Sequence, residues 1–241
     1  MNIKIAAILA VLIISMFNIT AISHAKAVND QGLNARQQNI VTIAAFTANG
    51  DLVKLKMALN DGLDAGLTVN EVKEVLVQMY AYTGFPRSLN AISTFITVMD
   101  VREHKGIKDE IGQEPRPMPA DKSSIEIGNE VQTSLIGAPA AGRYIAFTPA
   151  IDQFLKGHLF GDIFGRDNLD FQSREIATIS ALASISGVNT QLQGHFNMGF
   201  NTGLTEGQMR SLIAVLEVKV GKNVADNANQ VLGVVLSSKA R

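Results

Sequence analysis

Cysteine and tryptophan are absent from the 241 residues, and only 6 prolines and 3 tyrosines occur. Without a thiol there is no disulfide, no thiolate metal ligand, and no sulfur nucleophile or redox couple. An excess of one charge is also missing, since 21 Lys and Arg against 22 Asp and Glu leave −1. No local basic run supplies the electrostatic footprint of nucleic-acid binding, so no nucleic-acid partner is expected. HExxH, P-loop and GxSxG patterns do not occur, and no GxGxxG lies in a βαβ context. The four histidines (His24, His104, His158, His195) stand far apart, which predicts no metal site. What is present is 46% hydrophobic and 18% charged, the balance of a chain that folds on a core.

One long apolar run exists, and it lies at the start. Lys4 precedes Ile5–Phe17, interrupted only by Ser15, and the stretch ends in Ser23-His24-Ala25 and Ala25-Lys26-Ala27. A basic residue, a short apolar core and small residues around a cleavage point are the order of a secretory signal. The run is shorter than the roughly 20 residues a membrane span needs. Residues 1–27 are therefore expected to be a signal peptide. The mature chain is expected to be exported, to a bacterial periplasm, with no membrane segment of its own.

The remainder matches itself at an offset of 137 positions. Gly66-Leu67-Thr68 returns as Gly203-Leu204-Thr205, Leu55, Asn60 and Gly62 return as Leu192, Asn197 and Gly199, and Gly84 and Asn90-Ala91 return as Gly221 and Asn227-Ala228. One deletion upstream also sets Arg36 on Arg174 and Ala45 on Ala183. The identities follow structural punctuation, as copies of one unit do. Apolar residues at Ile40, Ile43, Ala44, Leu52, Leu55 and Leu59 recur at helical spacing. Thr68-Val-Asn-Glu71 and Thr205-Glu-Gly-Gln208 fit capping boxes, and Asp170 is placed to cap a further helix. Strand alternation is lacking, so the fold class is all-α, in two tandem copies. Domains are expected at 28–101 and 125–241, joined by a surface linker over 102–124 that Pro115, Pro117 and Pro119 stiffen. Helices are expected over Ser123–Leu135 and from Pro149, where proline suits a first helical turn.

Candidate chemistry concentrates between 74 and 91. Glu74, Gln78 and Tyr82 stand at i, i+4 and i+8, one polar line on an otherwise apolar helix. Such a line faces either solvent or an enclosed polar pocket. Gly84 and Pro86 interrupt the helix, as a kink or to let backbone approach closely. Arg87 offers a fork of donors for a substrate carboxylate, or is simply solvated. His158, beside Phe160 on an amphipathic helix, reads as structural.

The pattern Glu-Val-Leu-x-Gln … Tyr-x-Gly-Phe-Pro-x-x-x-Asn-Ala (Glu74 to Ala91), after a Gly-Leu-Thr turn, resembles carboxymuconolactone decarboxylase-like proteins, whose superfamily includes the AhpD-like alkylhydroperoxidases. Arg174-Glu-Ile-Ala-Thr-Ile-Ser-Ala-Leu and His195-x7-Gly203-Leu-Thr resemble the same family, and Phe154–Gly161 resembles its lead-in. The resemblance covers most of the mature chain. It implies AhpD-like helical domains that assemble into rings, here a homo-oligomer formed as a trimer of tandem chains. It also implies loss of CO2 from a small lactone acid without metal or organic cofactor. Glu74 and His195 fall on the family's glutamate and histidine, the implied catalytic pair. Gln78, Tyr82 and Arg87 would bind substrate, while Gly84, Pro86, Asn90 and Arg174 complete the structural motif. The peroxidase branch needs Cys-x-x-Cys, so its thiol chemistry is excluded.

The two halves lose different residues. Ala58 stands opposite His195, Ser211 opposite Glu74, and Lys219-Val-Gly-Lys222 opposite Tyr82-Thr-Gly-Phe85. One reading is a composite site using Glu74, Gln78 and Tyr82 from one half and His195 from the other, within a chain or between chains. The other is decay, with His195 a core histidine and Glu74 an ion-pair partner of Arg174. The corresponding functions are a cofactor-free lyase and a catalytically silent, ring-forming binding protein.

Overall fold

The computed structural model describes residues 32–239, and the expected signal peptide lies outside them. Every regular element among the described residues is a helix, with no strand. The elements are α1 (Ala35–Asn49), α2 (Leu52–Asp64), α3 (Val69–His104), α4 (Ser124–Ile136), α5 (Arg143–Phe147), α6 (Pro149–Gln153), a π-helix (Phe154–Ile163), α7 (Phe171–Ala183), α8 (Asn189–Asn201), α9 (Glu206–Lys219) and α10 (Lys222–Lys239).

The helix starts follow from side-chain oxygens that accept orphan amide N–H groups. Capping boxes form at Asn34 with Gln37, Thr68 with Glu71, Ser123 with Glu126 and Thr205 with Gln208. Asp170 accepts the Ser173 amide ahead of α7. Inside α3, Gly84 takes φ 78° and ψ 163°, a conformation essentially closed to residues with a Cβ. The chain turns sharply there. Ser88 donates its hydroxyl to the Leu76 carbonyl at 2.8 Å, a contact that twelve residues of straight helix could not make. Gly221, at the matching offset, separates α9 from α10.

At the centre, α1 packs against α7. Both are enclosed on every side: residues Ile40 through Ala48 and Ser173 through Ala183 are all buried. Helices α2, α3, α8, α9 and α10 surround this pair and share one hydrophobic core with it. A smaller cluster of Leu135, Phe160, Ile163 and Phe164 holds α4 and the π-helix together. Their approach is so close that a Cβ on Gly128 would lie 1.6 Å from the Lys156 carbonyl oxygen. No helix among the described residues is long and apolar enough to cross a membrane.

The proline-rich segment is not merely a surface connection. Helix α3 runs on to His104, past the expected edge, and the chain then returns to its own beginning. Glu110 and Ile111 carbonyls accept the amides of Val69 and Asn70, two first-turn N–H groups without intrahelical partners. Arg102, buried, anchors the segment by pairing with Asp109 and Asp64 at 2.8 Å each.

Candidate functional site

The polar line of α3 faces inward, onto the first turns of α7. Glu74, Gln78 and Arg174 are each no more than 1% exposed. Arg174 donates from Nη2 to the Glu74 carboxylate at 2.8 Å and from Nη1 to the Gln78 amide oxygen at 2.9 Å. Gln78 returns two hydrogen bonds from Nε2, to the Arg174 carbonyl and the Thr178 hydroxyl, both 2.9 Å. A second cation, Arg166, donates from Nε to both Glu74 oxygens at 3.0 Å. Phe164 lies beneath the Arg174 guanidinium, 5.7 Å from it. Burial pulls the Arg174 pKa below its ordinary value, although Glu74 opposes this. One carboxylate thus serves two guanidinium groups.

Beside this cluster lies a second buried pair. His195 on α8 bonds through Nδ1 to Glu175 Oε2 at 2.8 Å. The Glu175 side chain is fully buried and that of His195 is 9% exposed. A buried carboxylate at that distance accepts Nδ1–H, which fixes the tautomer and leaves Nε2 as the free position. Tyr82 covers the imidazole edge-on, with centroids 5.4 Å apart at 80°. Its hydroxyl is sealed from solvent near Thr178, with no well-aligned hydrogen-bond partner among the described residues. Burial and the nearby Glu175 charge push that phenol far above its ordinary pKa, so it stays neutral.

Residues from both halves therefore meet within one chain. Glu74, Gln78 and Tyr82 come from α3, and Arg174 and His195 from α7 and α8. The geometry separates the expected catalytic pair into two environments, with Glu74 closed in by two arginines and His195 held by Glu175. The Glu74–Arg174 ion pair is present.

Arg87 follows the Gly84–Pro86 turn and donates to the Ala48 carbonyl. With Tyr82, Thr83, Asn49, Ser184 and Ser186 it lines a polar cleft of about 440 Å³, which Glu74 does not reach. Asn90 is exposed, and its carbonyl accepts the Thr94 hydroxyl, so it stands outside the cluster. Sequence reasoning missed Glu175, Arg166 and Thr178. Glu175 had a signal, the Arg-Glu pair at 174–175. Arg166 had none, because only the tertiary fold brings it to Glu74.

His158 belongs to a separate chain of contacts. Its Nε2 meets the Tyr80 hydroxyl at 2.7 Å and its Nδ1 meets Asp162 at 3.0 Å, while Ser124 donates to Asp162 at 2.6 Å. Partial burial would raise the Asp162 pKa, yet the hydrogen bonds from Ser124 and His158 hold it below the ordinary value. These contacts tie the π-helix to α3 and α4. Among the described residues no group of three or more His, Cys, Asp or Glu is placed to hold a metal ion.

Residues 18–95 match the Carboxymuconolactone decarboxylase family. A 4-carboxymuconolactone decarboxylase of Acinetobacter baylyi is 26% identical over 97 residues, covering 39% of this chain and 72% of that protein. An uncharacterized 15.0 kDa protein in the nqo9-nqo10 intergenic region of Paracoccus denitrificans is 35% identical over 69 residues, covering 28% of this chain and 52% of that protein. The chain thus spans about half the length of the Paracoccus relative.

Proposed function

Taking this chain as a carboxymuconolactone decarboxylase-like protein, we propose that it is a cofactor-free lyase acting on a small lactone acid, with His195 as the proton-transfer group. The observation that carries this reading is the 2.8 Å contact from His195 Nδ1 to a fully buried Glu175. Glu175 orients the ring and stabilises its cation, and Nε2 delivers the proton. In the reaction the bond to the leaving carboxylate breaks and CO2 departs. Its electron pair moves into the lactone carbonyl as an enolate, and imidazolium Nε2–H returns one proton to carbon. Arg87, on the polar cleft that Tyr82 also lines, supplies the attraction for an anionic substrate.

Glu74 acts in this account as a positioning residue. It fixes Arg174, whose Nη1 in turn holds Gln78 beside Thr178. We further propose that the two halves are tandem copies of one unit, that the chain is exported, and that it assembles as a homo-oligomeric ring. The parallel order of α1–α2–α3 and α7–α8–α9 supports the first of these.

Incubating the full chain with 4-carboxymuconolactone and measuring CO2 tests the activity directly. Release above the buffer rate is expected. The Tyr82 ring against His195 favours a second reading, a silent binding protein whose histidine is shielded. Saturable binding of the lactone with no CO2 would establish that alternative and remove the lyase.

A further inference from the structure

We propose that a hollow bounded by α1, α2 and α9 is a second ligand site, for a small molecule with a compact apolar body and one carboxylate. It encloses about 720 Å³, larger than the Tyr82–Arg87 cleft, with which it shares no residue. Small-molecule sites commonly have this size.

The sequence offset explains why space exists there. Helices α1, α2 and α9 stand in the order of α7, α8 and the first part of α3, and the same positions face inward. Ser211 is at the position of Glu74, Val215 at that of Gln78, Lys219 at that of Tyr82, and Ala58 at that of His195. All four line the hollow. Where one half fills the junction with an ion pair, an amide and an imidazole, the other supplies shorter side chains. Truncation in a packed framework leaves volume that the surroundings close only in part.

The lining specifies the occupant. Phe46, Met57, Ala58, Val215 and Val218 form an apolar wall for the body of a ligand. Lys54 and Lys219 outnumber the single lining carboxylate, Asp61. Lys54 is engaged with Asp51 at 3.4 Å and lies over the Phe46 ring. Lys219 has no carboxylate within ion-pair distance among the described residues. It is therefore the cation left to receive an anionic group. Ser211 accepts the Leu33 amide at 3.1 Å, and its own hydroxyl proton has no acceptor among the described residues, so it can be donated to the ligand.

The test is an amide chemical-shift titration of the full chain with benzoate, benzylammonium and benzyl alcohol. Benzoate is expected to shift residues 54–61 and 211–219 saturably and most strongly. Lys219→Met should weaken benzoate by about fivefold, the size of one exposed charge contact, and leave benzyl alcohol unchanged. Ala214 lines the hollow from an exposed position, so Ala214→Phe sets a ring into its wall without entering the core and should strongly reduce the shifts while the fold is retained. Equal responses to all three probes, or an Ala214→Phe response like that of the parent chain, would overturn the proposal. So would shifts confined to other residues, or none at millimolar benzoate.

Discussion

Arg174→Met is expected to lower the stability of the chain by about 3–5 kcal/mol, the cost of stranding one member of a buried ion pair. Arg174 is the keystone of the junction between α3 and α7. It neutralises Glu74, holds the Gln78 amide, and donates to the Arg166 carbonyl at 2.7 Å. With methionine in its place, Gln78 loses its donor. Glu74 keeps only Arg166, whose side chain is 36% exposed and so shares its charge with water. Domains are typically stable by only about 5–15 kcal/mol, so the variant should unfold at a markedly lower urea concentration. The double change Glu74→Leu with Arg174→Met should recover much of the loss, because no fully buried charge is then left unpaired and Arg166, 36% exposed, can turn to water. A single-variant cost below about 1 kcal/mol would show that the cluster is not what holds the helices together.

His195→Gln is expected to reduce CO2 release from 4-carboxymuconolactone by about 10²–10⁴-fold, the usual contribution of a positioned acid or base. Glutamine keeps a donor for Glu175 but has no titrating proton. The effect should appear in kcat with KM little changed, since the ring is assigned to proton transfer and not to substrate anchoring. Glu175→Gln should also lower kcat, because the imidazole loses both its fixed tautomer and the charge that stabilises its cation. Glu74→Gln separates the two environments. It should act chiefly on stability, through Arg174 and Arg166, and leave the pH dependence of kcat unchanged. A shifted pH profile in Glu74→Gln, with a near-normal rate in His195→Gln, would move the proton-transfer role to Glu74.

Much of the fold was legible because local chemistry announces helix ends. Thr68, Asp170 and Thr205 cap the helices that their sequence positions indicate, and Gly84 breaks α3 where the pattern places a break. Helix faces were legible as well: Glu74, Gln78 and Tyr82 do share one line. What packs on that line was not, because periodicity reports which residues point together and says nothing of what they meet. Arg174 stands in the sequence motif, and its ion pair with Glu74 is one of the two readings that the sequence allows. Arg166, ahead of α7, carries no pattern of its own. The chain from 102 to 124 read as a linker because proline and charge dominate it. Its service to the first turn of α3 depends on backbone carbonyls, which composition does not encode.

The measurement that bears most directly on the central claim is the ring nitrogen shifts of His195, taken near pH 8, where a free imidazole is neutral. The account predicts the Nδ1–H tautomer, with that proton donated to Glu175 and Nε2 unprotonated. It also predicts that Glu175→Gln restores a mixture of tautomers. An Nε2–H tautomer in the unaltered chain would contradict the account, because Nδ1 would then accept from a protonated Glu175, which carries no charge to stabilise the imidazolium.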